Sequence, residues 1–373
     1  MPPAILIPAF RPRLPTADAI APLLREIDAN RYYSNFGPLV RRFQTRLAAH
    51  FGAPDGSVIT VASATVGITL ALKAACDGDA GLCMMPAWTH VATPTAAVAA
   101  GLTPWFVDVD ASSWQLIPSA ARRMLGAAPK RVAAVVPVAP FGAAVDTAAW
   151  AAFSDETGIP VVIDAAAAFA TVRPAETVTQ VVSLHATKVF GVGEGGVILA
   201  GDAKHGERLR RMTNFGLSAQ RVAVMPGLNA KLSEYAAAVG LAALDAWPRT
   251  HGEFCAAARR FLRALQILGV QPAPGFDGST ATSAANVILP RPGADAVIAH
   301  LAGEGIEARK WWMNGCHHSP HFASAPRTAL PVTEMLRERV VGLPFYVDIS
   351  DAEIARVIGA LAAALAHQPS PAK

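Results

Sequence analysis

The stretch Val181-Val-Ser-Leu-His-Ala-Thr-Lys188-Val-Phe190 decides how this chain is read. It is an apolar strand followed by a lysine set among apolar residues, and it runs into the glycine-rich Gly191-Val-Gly-Glu-Gly195-Gly196. Twenty-four residues before Lys188, Asp164 closes another strand-like run, Val161-Val-Ile-Asp164. Singly, each feature has an ordinary explanation, since Asp often follows a parallel strand and lysines are mostly solvated. Together they form the layout that pyridoxal phosphate (PLP) chemistry needs. A lysine forms the Schiff base, and a carboxylate keeps the pyridine nitrogen protonated so that the ring can act as an electron sink. The chain has only seven lysines, so few can serve. A buried lysine loses hydration, its pKa falls, and the amine becomes nucleophilic.

Outward from this stretch, strand and helix patterns alternate. Val58-Ile-Thr-Val, Leu82-Cys-Met-Met, Trp105-Phe-Val-Asp108, Ala133-Val-Val-Pro137 and Gly196-Val-Ile-Leu-Ala read as strands. Helical patterns fall at 64–75, 91–100, 147–156 and 205–213. Such alternation predicts an α/β fold with a parallel, mostly doubly wound sheet and ligands at the carboxyl ends of its strands. Residues 1–50 read as an arm and a helix, with the turn Ser34-Asn-Phe-Gly-Pro38 between. After an alanine-rich helix over 233–246, Pro248 marks the expected boundary between a large domain (1–247) and a smaller C-terminal α+β domain (248–373). The second part reads as helices over 253–268, 294–303, 333–341 and 352–367 with a strand at 285–289, and the last residues, from Gln368, as frayed.

Composition narrows the class. Hydrophobic residues make up 52% and charged residues 16%, which suits a large core and opposes disorder. The net charge of +4 is scattered, so no nucleic-acid footprint is expected. Four cysteines (Cys76, Cys83, Cys255, Cys316) are too few for a disulfide framework and fit a reducing, cytoplasmic setting. The apolar N-terminus is short and reads as neither signal peptide nor membrane span.

Other groups that carry chemistry lie at strand ends. Ser63-Ala64-Thr65 sits between a strand and a helix, where amides can take a phosphate, though an ordinary N-cap reads the same way. Ser183 is either a further phosphate contact or a serine at the edge of a ladder. The glycine run matches G-x-G-x-x-G but is followed by a strand, so it is not a dinucleotide fingerprint. We read it instead as a loop that lets backbone approach the cofactor. Trp88 or His90 can stack on a planar ring, with core packing the alternative for Trp88. Cys316-His317-His318-Ser-Pro-His321 invites a metal, but no second ligand pair is visible, so no metal is expected and substrate contact by His317 is preferred.

In this order, these pieces resemble the DegT/DnrJ/StrS family of PLP-dependent sugar aminotransferases. The resemblance adds Phe106-Val-Asp-Val-Asp110, Asn214-Phe-Gly216 and Gly227-Leu-Asn-Ala-Lys-Leu-Ser-Glu234, and it covers nearly the whole chain. It implies the fold type I architecture. It makes Lys188 the Schiff-base and proton-shuttling lysine and Asp164 the partner of the pyridinium. Ala64, Thr65 and Ser183 would hold the phosphate, and His90 would stack on the ring. Asn229 matches an asparagine that reaches the phosphate from a neighbouring subunit, which implies a homodimer with shared sites. Asn35, Trp88 and His317 are carried as substrate contacts.

Two departures stand out. Ala167 occupies a position where the family usually carries Gln or His, and the stretch 169–181 is shorter than in many relatives, where it helps shape the pocket. Relatives that became dehydratases replace the lysine with histidine, and Lys188 is retained here. The resemblance implies transfer of an amino group from glutamate to a nucleotide-linked keto-deoxy sugar at C3 or C4. The alternatives are an aminotransferase acting on a free ketose or cyclitol, and a catalytically silent PLP-binding regulator.

Overall fold

The computed structural model describes residues 6–367. The expected fraying from Gln368, and most of the N-terminal segment read above, lie outside the described residues. In chain order the elements of the first part are α1 (Ala17–Asn30), α2 (Pro38–Phe51), β1 (Val58–Val61), α3 (Ala64–Cys76), β2 (Leu82–Pro86), α4 (Ala92–Ala99), β3 (Thr103–Val107), α5 (Pro118–Leu125), β4 (Val132–Val135), α6 (Thr147–Thr157), β5 (Val162–Asp164), β6 (Thr179–Ser183), β7 (Gly196–Leu199) and α7 (Ala203–Met212). They are followed by α8 (Glu234–Leu265), β8 (Gln271–Pro272), β9 (Ala285–Ile288), α9 (Ala294–Gly303), α10 (Pro331–Arg339), β10 (Val340–Leu343) and α11 (Asp351–Ala366).

A three-stranded sheet (β3-β2-β4) and a four-stranded one (β5-β6-β7-β1) are continuous through the parallel bridges Val135–Val161 and Val138–Asp164. Their strands are buried nearly throughout, as expected when helices cover both faces of a sheet. Alternation along each strand separates two cores. Val58, Met84 and Ile163 face Phe43, Leu47, Trp150 and Leu241 on one side. Ile59, Met85 and Val162 face Ile68, Leu72, Ala96 and Leu209 on the other. The sheet is the expected mostly parallel one, with one reversal: β7 runs antiparallel to both β1 and β6. The loop from Ser183 to Gly196 returns directly, with no helix to carry the chain back across the sheet.

Beyond it, β10-β9-β8 form a small antiparallel sheet whose core holds Phe261 and Leu265 of α8, Val297 of α9 and Leu361 of α11. Ile7 from the N-terminal arm packs in this same core. The two helices expected on either side of Pro248 are corrected to one 32-residue helix, α8. Pro248 faces solvent, so the carbonyl it leaves free can be hydrated, while Leu244 and Trp247 anchor one half and Ala257 and Phe261 the other. The expected helix over 333–341 stops at Arg339, and Val340 begins β10, because a four-residue apolar run looks alike in helix and strand. Helix α5 had no counterpart in the sequence reading, and α1 occupies a segment that the sequence reads as part of the arm.

Glu234, at the start of α8, shows how the layers are tied. It is buried, and its carboxylate accepts hydrogen bonds from the Leu39 and Val40 amides at 2.8 Å each. It thereby caps α2, whose own N-cap, Gly37, has no side chain to offer. Glu234→Ala is expected to lower unfolding free energy by ~2–4 kcal/mol, because two buried donors lose a charged acceptor. Urea melts of the two proteins check this, and a change below ~0.5 kcal/mol, the scale of a neutral surface substitution, would rule the cap out as a structural tie.

Candidate active site

Asp164 is delivered by the end of β5 and is buried. Its Oδ2 accepts the Thr93 hydroxyl at 2.7 Å and its Oδ1 the Ala166 amide at 3.1 Å. Thr93 in turn shares a 2.8 Å hydrogen bond with Thr89. Burial pushes the Asp164 carboxyl above the usual range, against the opposing pull of Thr93, Ala166 and Lys188. Lys188 follows β6 on a turn closed by its amide donating to the His185 carbonyl at 2.9 Å. Burial holds its amine below the ordinary lysine value, and Asp164 draws it the other way.

Lys188 and Asp164 line one cavity of about 170 Å³, together with His90, Thr187, Ala167 and several aromatic rings. His90 keeps its ring in place by accepting the Ala92 amide at Nδ1, 3.2 Å away. Burial and the Lys188 charge lower its pKa, which leaves a neutral ring against the cavity.

The phosphate candidates gather beside this cavity, around Gly196. Val61, Gly196 and Ser183 are register partners across β1, β7 and β6. A Cβ on Gly196 would sit 2.7 Å from the Ala64 nitrogen and 2.8 Å from the Ser63 carbonyl carbon. Glycine therefore lets β7 abut the N-terminus of α3. There the Ser63 hydroxyl takes the Val66 amide at 3.3 Å, which leaves the earlier amides of Ala64 and Thr65 as the orphan donors an anion can use. The rest of the glycine loop props the lysine turn, with Ala186 N–H donating to Gly193 and Leu184 N–H to Gly195.

Other expected residues lie elsewhere. Trp88 is buried behind Trp312, ring centroids 5.5 Å apart, and it is Trp312 that lines the cavity. His317 is buried and bonds Glu334 through Nε2 at 2.8 Å, outside the cavity lining. His317, His318 and Glu334 bring three ligand atoms within 4.8 Å. The Arg337 guanidinium, however, lies 3.0 Å from Glu334 and 3.1 Å from His318, where its positive charge opposes a metal ion. Asn35 and Asn229 are exposed and are not among the residues that line this cavity.

The 169–181 stretch, read as shorter than in relatives where it helps shape the pocket, does not line the cavity here. Its first residue, Phe169, stacks on Phe190 with centroids 4.1 Å apart. The sequence reading missed Thr93, although it lies only three residues beyond His90, and it missed Phe10, Phe141, Trp311 and Trp312. Those four reach the site from distant segments and carry no local signal.

A buried aspartate at one strand end and an enclosed lysine at the next, on a mostly parallel sheet with α3 aimed at the same edge, define a PLP-dependent aminotransferase of fold type I. Residues 16–362 match the model of the DegT/DnrJ/EryC1/StrS aminotransferase family, and the chain belongs to that family. The crystal structure of DesI, determined in the presence of its TDP-sugar product, is 31% identical with a TM-score of 0.87, over 97% of this chain and 95% of that one. A PLP-dependent aminotransferase from Bacillus cereus is 30% identical with a TM-score of 0.89, over 95% and 99%. The dTDP-4-amino-4,6-dideoxy-D-glucose transaminase of Escherichia coli is 26% identical over 94% of this chain and 96% of its own length.

The enzyme is accordingly a PLP-dependent sugar aminotransferase that takes a sugar and an amino donor. Its residues fit the cofactor: a buried carboxylate for the ring nitrogen, an enclosed amine, and a glycine-made approach to a helix N-terminus for the phosphate. No helix among the described residues is long and apolar enough to cross a membrane.

Proposed function

We propose that this enzyme moves the amino group of glutamate to the keto carbon of a nucleotide-linked deoxy sugar, at C3 or C4, in amino-sugar synthesis. The observation that carries the reading is the single cavity lined by both Lys188 and Asp164. The DesI and dTDP-sugar transaminase likenesses support the nucleotide-linked acceptor. When bound, PLP supplies the electron sink that lets nitrogen change carbon. Asp164 would hold a proton on the pyridine nitrogen, His90 would lie against the ring, and Ala64, Thr65 and Ser183 would hold the phosphate. The Lys188 Nζ takes a proton from the donor carbon and later returns one to the sugar carbon, as general base and then general acid. Its depressed pKa keeps a share of the amine neutral for the first task.

We also propose a homodimer in which Asn229, and Asn35 on the loop before α2, serve the partner's site. In support, Tyr33, Phe215, Val222, Val224, Leu228 and Tyr235 are all exposed. They flank Asn229 on the 214–229 hairpin and on the adjoining Tyr33–Tyr235 stack, an apolar surface suited to a second copy.

A free ketose or cyclitol is the second reading. It is favoured by a cavity lining that, among the described residues, has no lysine or arginine besides Lys188 to meet a diphosphate. The two separate in one titration. Glutamate should bleach the visible band of the cofactor-loaded enzyme, and a TDP-keto-deoxy sugar should restore it, with the amino sugar identified by mass spectrometry. Restoration by free ketoses alone would support the second reading, and no response to glutamate would refute the donor.

A further inference from the structure

Two strained aromatic residues belong to one ring cluster, in which Phe141 lines the cavity and Trp114 is buried against it. Phe141 has φ 53° and Trp114 φ 57°, both in the left-handed region that bulky side chains rarely adopt. Such strain persists only where surrounding structure over-determines it, and it concentrates at functional sites. Here the surroundings are explicit. The Trp114 amide donates to the Asp110 carbonyl at 2.8 Å, and the Thr171 hydroxyl donates to the Gly142 carbonyl at 2.8 Å. A Cβ on Gly142 would come within 2.8 Å of the Ala167 carbonyl, so the turn beyond Phe141 has no slack.

The strain serves an aromatic box. Phe141 and Trp312 stack face to face, centroids 4.0 Å apart and planes at 18°, and both line the cavity. Trp88 meets Trp312 edge-on at 5.5 Å, Trp114 meets Phe141 edge-on at 6.3 Å, and Trp88 meets Trp114 at 6.3 Å. Trp88 and Trp114 are buried, and the Trp88 indole N–H has no hydrogen-bond partner among the described residues. Burying that donor unpaired is a further cost of packing the indole there. The polar groups that line the same cavity are Thr89, His90, Asp164, Thr187, Lys188 and Ser283.

We propose that the Phe141–Trp312 pair, braced by Trp88 and Trp114, is the acceptor-specificity wall of this site, selecting a ring that turns a deoxygenated, methyl-bearing side toward it over one that carries a hydroxyl there. This rests on the sugar-aminotransferase reading. A methyl gains dispersion and sheds water against the two rings, whereas a hydroxyl pressed on them loses its water without finding an acceptor. Because the wall is braced, it does not yield to admit a water beside the hydroxyl. Trp88 thus touches no substrate and acts through Trp312 as a positioning residue.

The test compares a nucleotide-linked 4-keto-6-deoxyhexose with its 6-hydroxy counterpart on the PLP-loaded enzyme. It also compares binding of the two corresponding amino-sugar products by calorimetry, which needs no turnover. Wild type is expected to favour the deoxy acceptor by ~10–200-fold in kcat/KM, the range one apolar group supplies. Trp312→Ala and Phe141→Ala are expected to shrink that ratio at least tenfold, mainly through KM, and to shrink the ratio of product affinities in parallel. Trp312→Phe should restore part of it. Trp312 has no left-handed backbone, so its variant keeps the test open if Phe141→Ala fails to fold. A wild type without deoxy preference, or folded Trp312→Ala with the ratio unchanged, overturns the wall. A wild type whose cofactor band ignores both glutamate and every keto sugar overturns the underlying reading instead.

Discussion

Lys188→Ala is expected to stop amino transfer, with kcat falling by at least ~10³-fold, since general acid–base help alone contributes ~10²–10⁴-fold. The same substitution should remove the visible band of lysine-bound cofactor while leaving the far-UV circular dichroism unchanged. Lys188 also predicts a pH dependence. Its amine sits below the ordinary lysine value because burial disfavours the charged form. The rate at which cofactor-free protein captures PLP should therefore rise with pH through a midpoint below ~10.4, the unperturbed lysine pKa. Stopped-flow absorbance across pH 6–11 checks this. A midpoint at the unperturbed value would show that the cavity does not enclose the amine as described, and retained turnover in the alanine variant would displace Lys188 from its role.

Asp164→Asn should lower kcat/KM by ~10²–10³-fold, the cost of removing one preorganised electrostatic partner from a dry site. The asparagine oxygen can accept the Ala166 amide while its NH2 donates to Thr93, whose own proton can turn to Thr89, so geometry is largely kept and charge is what is lost. Stability should move the opposite way in the cofactor-free protein. Burial raises the folded-state pKa of Asp164 above its unfolded value. Protonating it therefore stabilises the fold fully at pH below the unfolded value, and that contribution is lost as pH rises through the folded value. The asparagine variant has no such loss, so at neutral pH its cofactor-free melting temperature should equal or exceed that of wild type. A lower melting temperature at neutral pH, with the same loss of activity, would mean that Asp164 is chiefly a structural hydrogen-bond acceptor.

The chemistry was legible because it is local. Lys188, Asp164, Ser183 and the Ser63–Thr65 turn each sit at the end of an apolar strand, and strand ends, turns and glycine runs are written in consecutive residues. The wider motif order carried the family. Partner-dependent positions were less legible. Asn35 and Asn229 are exposed on the single chain, and His317 spends its ring on Glu334 instead of lining the cavity.

The sequence by itself determined the α/β class, the lysine–carboxylate pair and the glycine run that follows the lysine, because each follows from residue type and spacing along one segment. Only the tertiary structure decided that β7 runs antiparallel, that α8 passes unbroken through Pro248, and that Thr93 reaches Asp164 from 71 residues away. It alone assembled Trp88, Trp114, Phe141 and Trp312 into one box. The physical reason is that periodicity reports which face a residue presents. Which distant residue meets that face depends on strand order and on how helices close over the sheet, a property of the packed whole.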